Sequence, residues 1–335
     1  MTYLERLKSN PIPWLLENDS SGVRPVTMRD LLDVPAEDAE LRQATRDAHQ
    51  NGPIARVLSH MEEPGFWVKP GPGYGPKYKS SVWSILLLAQ LGSSVEEDPR
   101  VRTACNYILD QALAPGGQFA YNAAPGGTID CLQGNLCWSL LQLGCEDPRL
   151  ELAFEWMARS VTGEGVAPST DKKNPNRYYA YKCGPVFACG ANGKMPCAWG
   201  AAKVMLAFCK LPRNRRTPLI QDAIQTGVDF FFGVDPASAD YPTTTGHPSR
   251  NWWKFGFPVF YITDLLQIVE SLVFLGYGGD PRLKPSLDLI LAKQDEQGRW
   301  PLEYEYTGKT WGSYGKINEP NKWVTLRVLR MLKAL

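Results

Sequence analysis

Five stretches of the chain, 80–91, 130–143, 196–211, 258–275 and 320–335, are apolar on nearly every face. A helix without a polar face is buried among other helices, so these predict an inner layer. Four amphipathic stretches, 101–113, 150–161, 218–232 and 283–293, alternate with them and predict an outer layer with one wet side. The junctions repeat: Leu91-Gly92 before Asp98-Pro99-Arg100, Leu143-Gly144 before Asp147-Pro148-Arg149, and Leu275-Gly276 before Asp280-Pro281-Arg282. Leu211-Pro212 before Arg216-Thr217-Pro218 is a looser copy. Glycine closes a helix and Asp-Pro opens one, because the carboxylate caps free N–H groups and proline suits the first turn. Long loops rich in Gly and aromatic residues, such as Gly116-Gly117-Gln118-Phe119 and Gln297-Gly298-Arg299-Trp300, join one pair to the next. Strand signals are weak. The pattern predicts an all-α chain folded as an α/α toroid, a ring of helical hairpins around a central cavity. It reads as a single domain over 1–335, with 1–40 as an N-terminal strap followed by one outer helix over 41–60.

Composition narrows the function classes. The 335 residues are 44% hydrophobic and 21% charged, in the globular range. Lys plus Arg number 36 against 35 Asp plus Glu, a net charge of +1, which gives no bulk attraction to nucleic acid or anionic lipid. No run approaches the roughly 18 apolar residues of a spanning helix. Residues 1–13 lack the apolar core of a secretory signal. A cytoplasmic location is the expectation, and the eight cysteines then read as thiols or metal ligands before disulfides.

Several segments resemble a known superfamily. Gln294-Asp295-Glu296-Gln297-Gly298-Arg299-Trp300 is similar to the Gln…Gly-x-Trp repeat of the prenyltransferase and squalene-cyclase superfamily. Cys131-Leu132-Gln133-Gly134-Asn135, Pro13-Trp14-Leu15-Leu16-Glu17, Trp253-Lys254-Phe255-Gly256-Phe257-Pro258 and Lys322-Trp323-Val324-Thr325-Leu326-Arg327 resemble a little-characterised bacterial branch of it. The resemblance implies α/α toroids. The acidic Asp-x-Asp-Asp of triterpene cyclisation and the Asp-Asp-x-x-Asp of diphosphate ionisation are both missing from this sequence. Protein prenyltransferases of the superfamily hold zinc through an Asp and a Cys two residues apart at an inner-helix start. Asp130 and Cys131 stand at such a start but are adjacent, so the resemblance implies a metal at this end of the ring without fixing the reaction.

The cysteines supply the candidate chemistry. Cys131 and Cys197 each begin an inner run, and Cys183 and Cys189 lie in the Gly- and Pro-rich loop before the second. Inner helices of a toroid start on one rim, so Cys131, Cys183, Cys189 and Cys197 are the expected ligands of a zinc ion, favoured by soft sulfur and helix N-termini. His247, in the loop before the fourth inner run, reads as a further ligand, a proton shuttle or polar surface. Asp130 and His247 are the candidate general base or orienting groups. The remaining cysteines, Cys105, Cys137, Cys145 and Cys209, read as small buried hydrophobes. His49 and His60 read as surface. Tyr178, Tyr179 and Tyr181, with Trp83, Trp138, Trp199, Trp252, Trp253 and Trp323, predict an aromatic lining. Asp264 reads as a buried charge paired to Lys203 or Arg327. The leading expectation is a zinc-dependent hydrolase acting on an ester or phosphoester of a hydrophobic small molecule. A prenyltransferase- or cyclase-like enzyme, a cysteine-nucleophile hydrolase without metal, and a non-enzymatic apolar-ligand binder with a structural zinc are the alternatives. The expected partner is a small apolar molecule, with no nucleic acid, no membrane span, and room for a homo-oligomer.

Overall fold

The computed structural model describes residues 3–19, 22–166, 173 and 180–335. Its helices are α1 (Ile12–Leu15), α2 (Val23–Asp30), α3 (Ala39–Asn51), α4 (Pro53–Leu58), α5 (Ser81–Gln90), α6 (Pro99–Ala112), α7 (Asp130–Gln142), α8 (Arg149–Thr162), α9 (Ala198–Lys210), α10 (Pro218–Phe232), α11 (Leu265–Leu272), α12 (Lys284–Ala292) and α13 (Lys322–Lys333). Among the described residues only isolated bridges, and no strands, accompany them. The fold is all-α.

The junction motifs terminate and start helices as their chemistry requires. Gly92 and Gly144 take left-handed φ values of 81° and 83°. The amides that follow turn back onto the helix, Ser93 N to Leu88 O and Cys145 N to Leu140 O. In all three Asp-Pro-Arg copies the carboxylate accepts the arginine backbone N–H, and it also takes that arginine's guanidinium: Asp98 with Arg100, Asp147 with Arg149, Asp280 with Arg282. One tripeptide thus caps the helix and fixes its own side chain. In the looser copy the Thr217 hydroxyl accepts from Ile220 N.

Packing follows the alternation of the sequence. α5 packs on α7, α7 on α9, α9 on α11 and α11 on α13. A second layer, α6, α8, α10 and α12, lies against them: α6 on α5, α8 on α7, α10 on both α8 and α9, and α12 on α11. The N-terminal segment runs between the two ends of that series, with α2 on α13 and α3, and α4 on α3 and α5. Every residue of α5 from Ser81 to Ala89 is buried. Each large apolar side chain so buried stabilises by about 1.5–3 kcal/mol, which is why these runs carry no polar face.

Three expectations are revised. The stretch 41–60 divides at Gly52, because Pro53 supplies no N–H to continue the first helix. The fourth inner run enters helix only at Leu265, where the Asp264 carboxylate caps Gln267 N at 2.9 Å. His49 is buried, at 6% exposure, with Nδ1 2.9 Å from Thr45 O and Nε2 3.3 Å from the Ser93 hydroxyl. His60 is exposed, as expected, and stacks on Trp311.

Helices α7 and α9 approach each other closely. A Cβ added at Gly134 would stand 2.4 Å from the Lys203 carbonyl carbon, a main-chain atom that cannot swing away. Gly134→Ala is expected to destabilise by about 1–3 kcal/mol, the usual cost of overpacking a tight interface. Chemical denaturation of the two proteins measures it, and an unchanged midpoint would show that the helices can separate freely.

A candidate active site at the helix N-termini

The N-terminal ends of α7 and α9 open into a cavity of about 970 Å³. Tyr74, Trp199, Tyr241, Trp252 and Tyr261 give it an aromatic wall, and Asp130, Cys131, Cys189, Cys197 and His247 bring the reactive groups. This volume lies in the range of small-molecule sites, about 300–1,000 Å³. Of the six residues that the sequence singles out, Cys183 is the one that does not line it.

Asp130 is the first residue of α7, and its backbone N–H donates to Lys182 O beside a parallel bridge between Ile129 and Lys182. Its side chain is 3% exposed, and among the described residues its Oδ2 has no hydrogen-bond partner. The main chain of Gly200 on α9 closes over it: a Cβ there would approach Asp130 Cβ to 3.0 Å. Two effects oppose each other on this carboxyl. A helix N-terminus favours the anion by about 0.3–1 kcal/mol, up to about 2 when partly buried. Removing an unpaired carboxylate from water costs several kcal/mol. Burial wins, and it raises the proton affinity well above the usual carboxylate range, with the nearby Cys189 adding to the shift. Burial therefore favours the protonated form of Asp130, where the sequence suggested a general base or orienting group.

Cys189 and Cys197 are positioned by a short antiparallel contact. Ala188 pairs with Pro196, flanked by Cys189 N donating to Met195 O at 3.1 Å and Cys197 N donating to Phe187 O at 3.0 Å. Residues one step to either side of a bridge project from the same face, so the two thiols are diagonal neighbours. The Cys197 thiol hydrogen-bonds Cys189, and the backbone amides of Ala191 and Asn192 also approach the Cys189 sulfur. These contacts, outweighing burial, hold Cys189 down to about 6, while Cys197 keeps its proton. Cys131, half-buried at the start of α7, is pushed up to about 12, chiefly by burial. Asn192 joins the cysteine loop to the histidine loop: its amide donates to Pro196 O and Pro242 O at 2.8 and 2.9 Å and accepts from Thr244 N. That clasp brings the exposed His247 to the mouth.

Cys183 packs with Trp156 and Ala180 in a small separate cluster. Burial raises its thiol, and a hydrogen bond with Ser160 partly opposes that. Among the described residues no three His, Cys, Asp or Glu side chains are arranged to hold a metal ion. The reactive groups that line the cavity are the thiols of Cys131, Cys189 and Cys197, the Asp130 carboxyl and the His247 imidazole. The other cysteines, Cys105, Cys137 and Cys145, are buried, and Cys209 is half-buried with its thiol donating to Ser271 O at 3.1 Å.

The aromatic expectation divides between places. Trp199 and Trp252 line the cavity; Trp138 and Trp323 line a different one; Trp83 packs among Tyr74, Tyr78, Phe260 and Tyr261. Trp253 donates from its indole to Ala237 O. Tyr181 is exposed, and Tyr178 and Tyr179 lie outside the described residues. Sequence reasoning overlooked Tyr74, Lys77, Lys182, Asn192, Gly200 and Tyr261. For Asn192 a signal existed, because Gly190-Ala191-Asn192-Gly193 is the composition of a loop whose main chain approaches a ligand or a sulfur. Lys77 sets its ammonium 4.2 Å from the Tyr261 ring centre, a cation over the aromatic wall. No helix among the described residues is long and apolar enough to cross a membrane. No protein-family model matches this chain, and no curated protein matches it in sequence.

Proposed function

We propose that the protein is a hydrolase of esters of apolar small molecules, working through the Cys189 thiolate and the neutral Asp130 carboxyl inside an α/α toroid. The observation that carries this reading is that one aromatic cavity holds two titratable groups displaced in opposite directions, Cys189 down and Asp130 up. Such a pair is the usual basis for assigning acid and nucleophile.

In this reading the aromatic wall takes the apolar body of the ester, and the Cys189 sulfur attacks its carbonyl carbon. As the carbon–oxygen bond to the leaving alcohol breaks, Asp130 gives that oxygen its proton, leaving an acyl thioester and an Asp130 carboxylate. Water then attacks the thioester. Asp130 recovers a proton from that water, the carbon–sulfur bond breaks, the carboxylic acid departs and Cys189 returns as thiolate. His247, at the mouth, is free to relay protons to solvent. Zinc ligation by the same sulfurs would have a different outcome, because a thiolate committed to a metal is withdrawn from attack on the ester.

The alternation of inner and outer helices, and the closure of the inner series through α2 to α4, support the toroid. A ring of that kind sets the starts of neighbouring inner helices on one rim.

The pH profile tests the assignment. Turnover of 1-naphthyl butyrate is expected to rise about tenfold per pH unit below about 6, as Cys189 ionises, to level off, and to fall again where Asp130 finally loses its proton. A single rise centred near pH 8.5, the ordinary thiol range, would contradict it.

A further inference from the structure

A second cavity, of about 380 Å³, lies deeper along the inner helices and has no role in the chemistry above. All five inner helices, α5, α7, α9, α11 and α13, contribute to its lining. Most of the wall is apolar, including Trp138, Leu206, Phe257, Phe274 and Trp323. Against this stands a buried polar cluster centred on Lys203.

Lys203 is 1% exposed, yet among the described residues no carboxylate lies within ion-pair distance of it. Its Nζ donates to the Gln267 side-chain oxygen and to Ile262 O, the latter at 3.3 Å. An ammonium has three N–H donors, so one is left on a group that lines the cavity. The neighbouring carboxylates are committed elsewhere. Arg327 takes Asp264 at 3.0 Å and Glu270 at 3.1 Å, and Arg330 takes Asp30 at 3.0 Å. The cations Arg29, Lys203, Lys210, Arg327 and Arg330 thus face the carboxylates Asp30, Asp264 and Glu270, an excess of positive charge. A buried cation without its own counter-ion is costly, which makes its persistence informative.

We infer that this cavity binds a fatty carboxylate, its chain on the Trp138–Trp323 wall and its single negative charge on Lys203. A carboxylate head answers that excess through the remaining donor of Lys203, and the apolar wall takes its chain. The protonation state of Lys203 supplies a second signature. Burial pulls it down to about 7, Asp264 at the cap of α11, Glu270 within it and Cys131 on α7 oppose this, and Arg327 on α13 adds to it. A carboxylate placed at Nζ restores the charged form, so binding at a pH above 7 takes up a proton.

Calorimetry with decanoate and decanol on the whole protein tests this. Decanoate is expected to bind at least about tenfold more tightly than decanol, with a heat at pH 8 that depends on the buffer's own ionisation enthalpy. Lys203→Met is expected to abolish that preference. Lys210→Glu, at an exposed position that leaves the core intact, is expected to weaken decanoate about threefold or more without affecting decanol. Equal binding of the two ligands, no binding of decanoate, or an unchanged preference in both variants would overturn the inference. Naphthyl butyrate turnover is read separately, so failure here leaves the Cys189 assignment standing.

Discussion

Replacing Cys189 with Ala is expected to lower ester turnover by roughly 10³-fold or more, with little loss of stability. Removing a nucleophile eliminates the covalent route and leaves only what binding and orientation supply. Cys189 holds its place through main-chain bonds to Met195 and Lys194, which Ala keeps. Cys197→Ala should act differently. It deletes the thiol that donates to Cys189, so the rate at pH 7 falls through loss of thiolate and recovers as the pH is raised. Steady-state rates at pH 7 and pH 9 separate the two roles. Equal losses at both pH values in the Cys197 variant would mean that Cys197 itself attacks.

Asp130→Asn should reduce turnover by about 10² to 10⁴-fold, the range for losing a general acid, while stabilising the fold at neutral pH. The sign follows from linkage. The folded proton affinity of Asp130 is raised, so below the unfolded carboxyl value, about 4, both states are protonated and nothing is lost. As the pH climbs above that value the unfolded chain ionises while the folded one resists, and stability drains away until the raised folded value is passed. Asn carries no such proton. The variant should therefore melt at or above the parent near pH 8, with a shallower decline between about pH 5 and about pH 8. Thermal unfolding over that range measures it. A variant that melts lower at every pH would show the carboxyl to be a structural anchor.

The parts of this arrangement legible in the sequence are those governed by local chemistry. Asp98, Asp147 and Asp280 reveal helix starts because a capping carboxylate acts on amides two residues away. The apolar runs reveal an inner layer because burial needs no knowledge of the partner. Convergence of Cys131 and Cys197 on one cavity was legible for a similar reason, since each opens an inner helix. What escaped depends on contacts distant in the chain. The burial of His49 depends on Ser93, forty-four residues on. The burial of Asp130 depends on Gly200 lying over it, and an adjacent Asp-Cys pair gives no hint of that. Cys183 illustrates the converse. Its loop position suggested a fourth ligand, but Trp156 on the outer helix α8 offers its side chain an apolar seat. Asp264 was read as a buried charge seeking a cation and does pair with Arg327, while Lys203 is left with an amide and a carbonyl.

The central assignment is that Cys189 carries the acyl group, and the mass of the protein quenched during turnover tests it most directly. With 1-naphthyl butyrate, a butyryl increment is expected on the peptide containing Cys189, accumulating in Asp130→Asn and missing from Cys189→Ala. An unmodified chain that still turns over ester, or a butyryl group on Cys131 or Cys197 in its place, would contradict it.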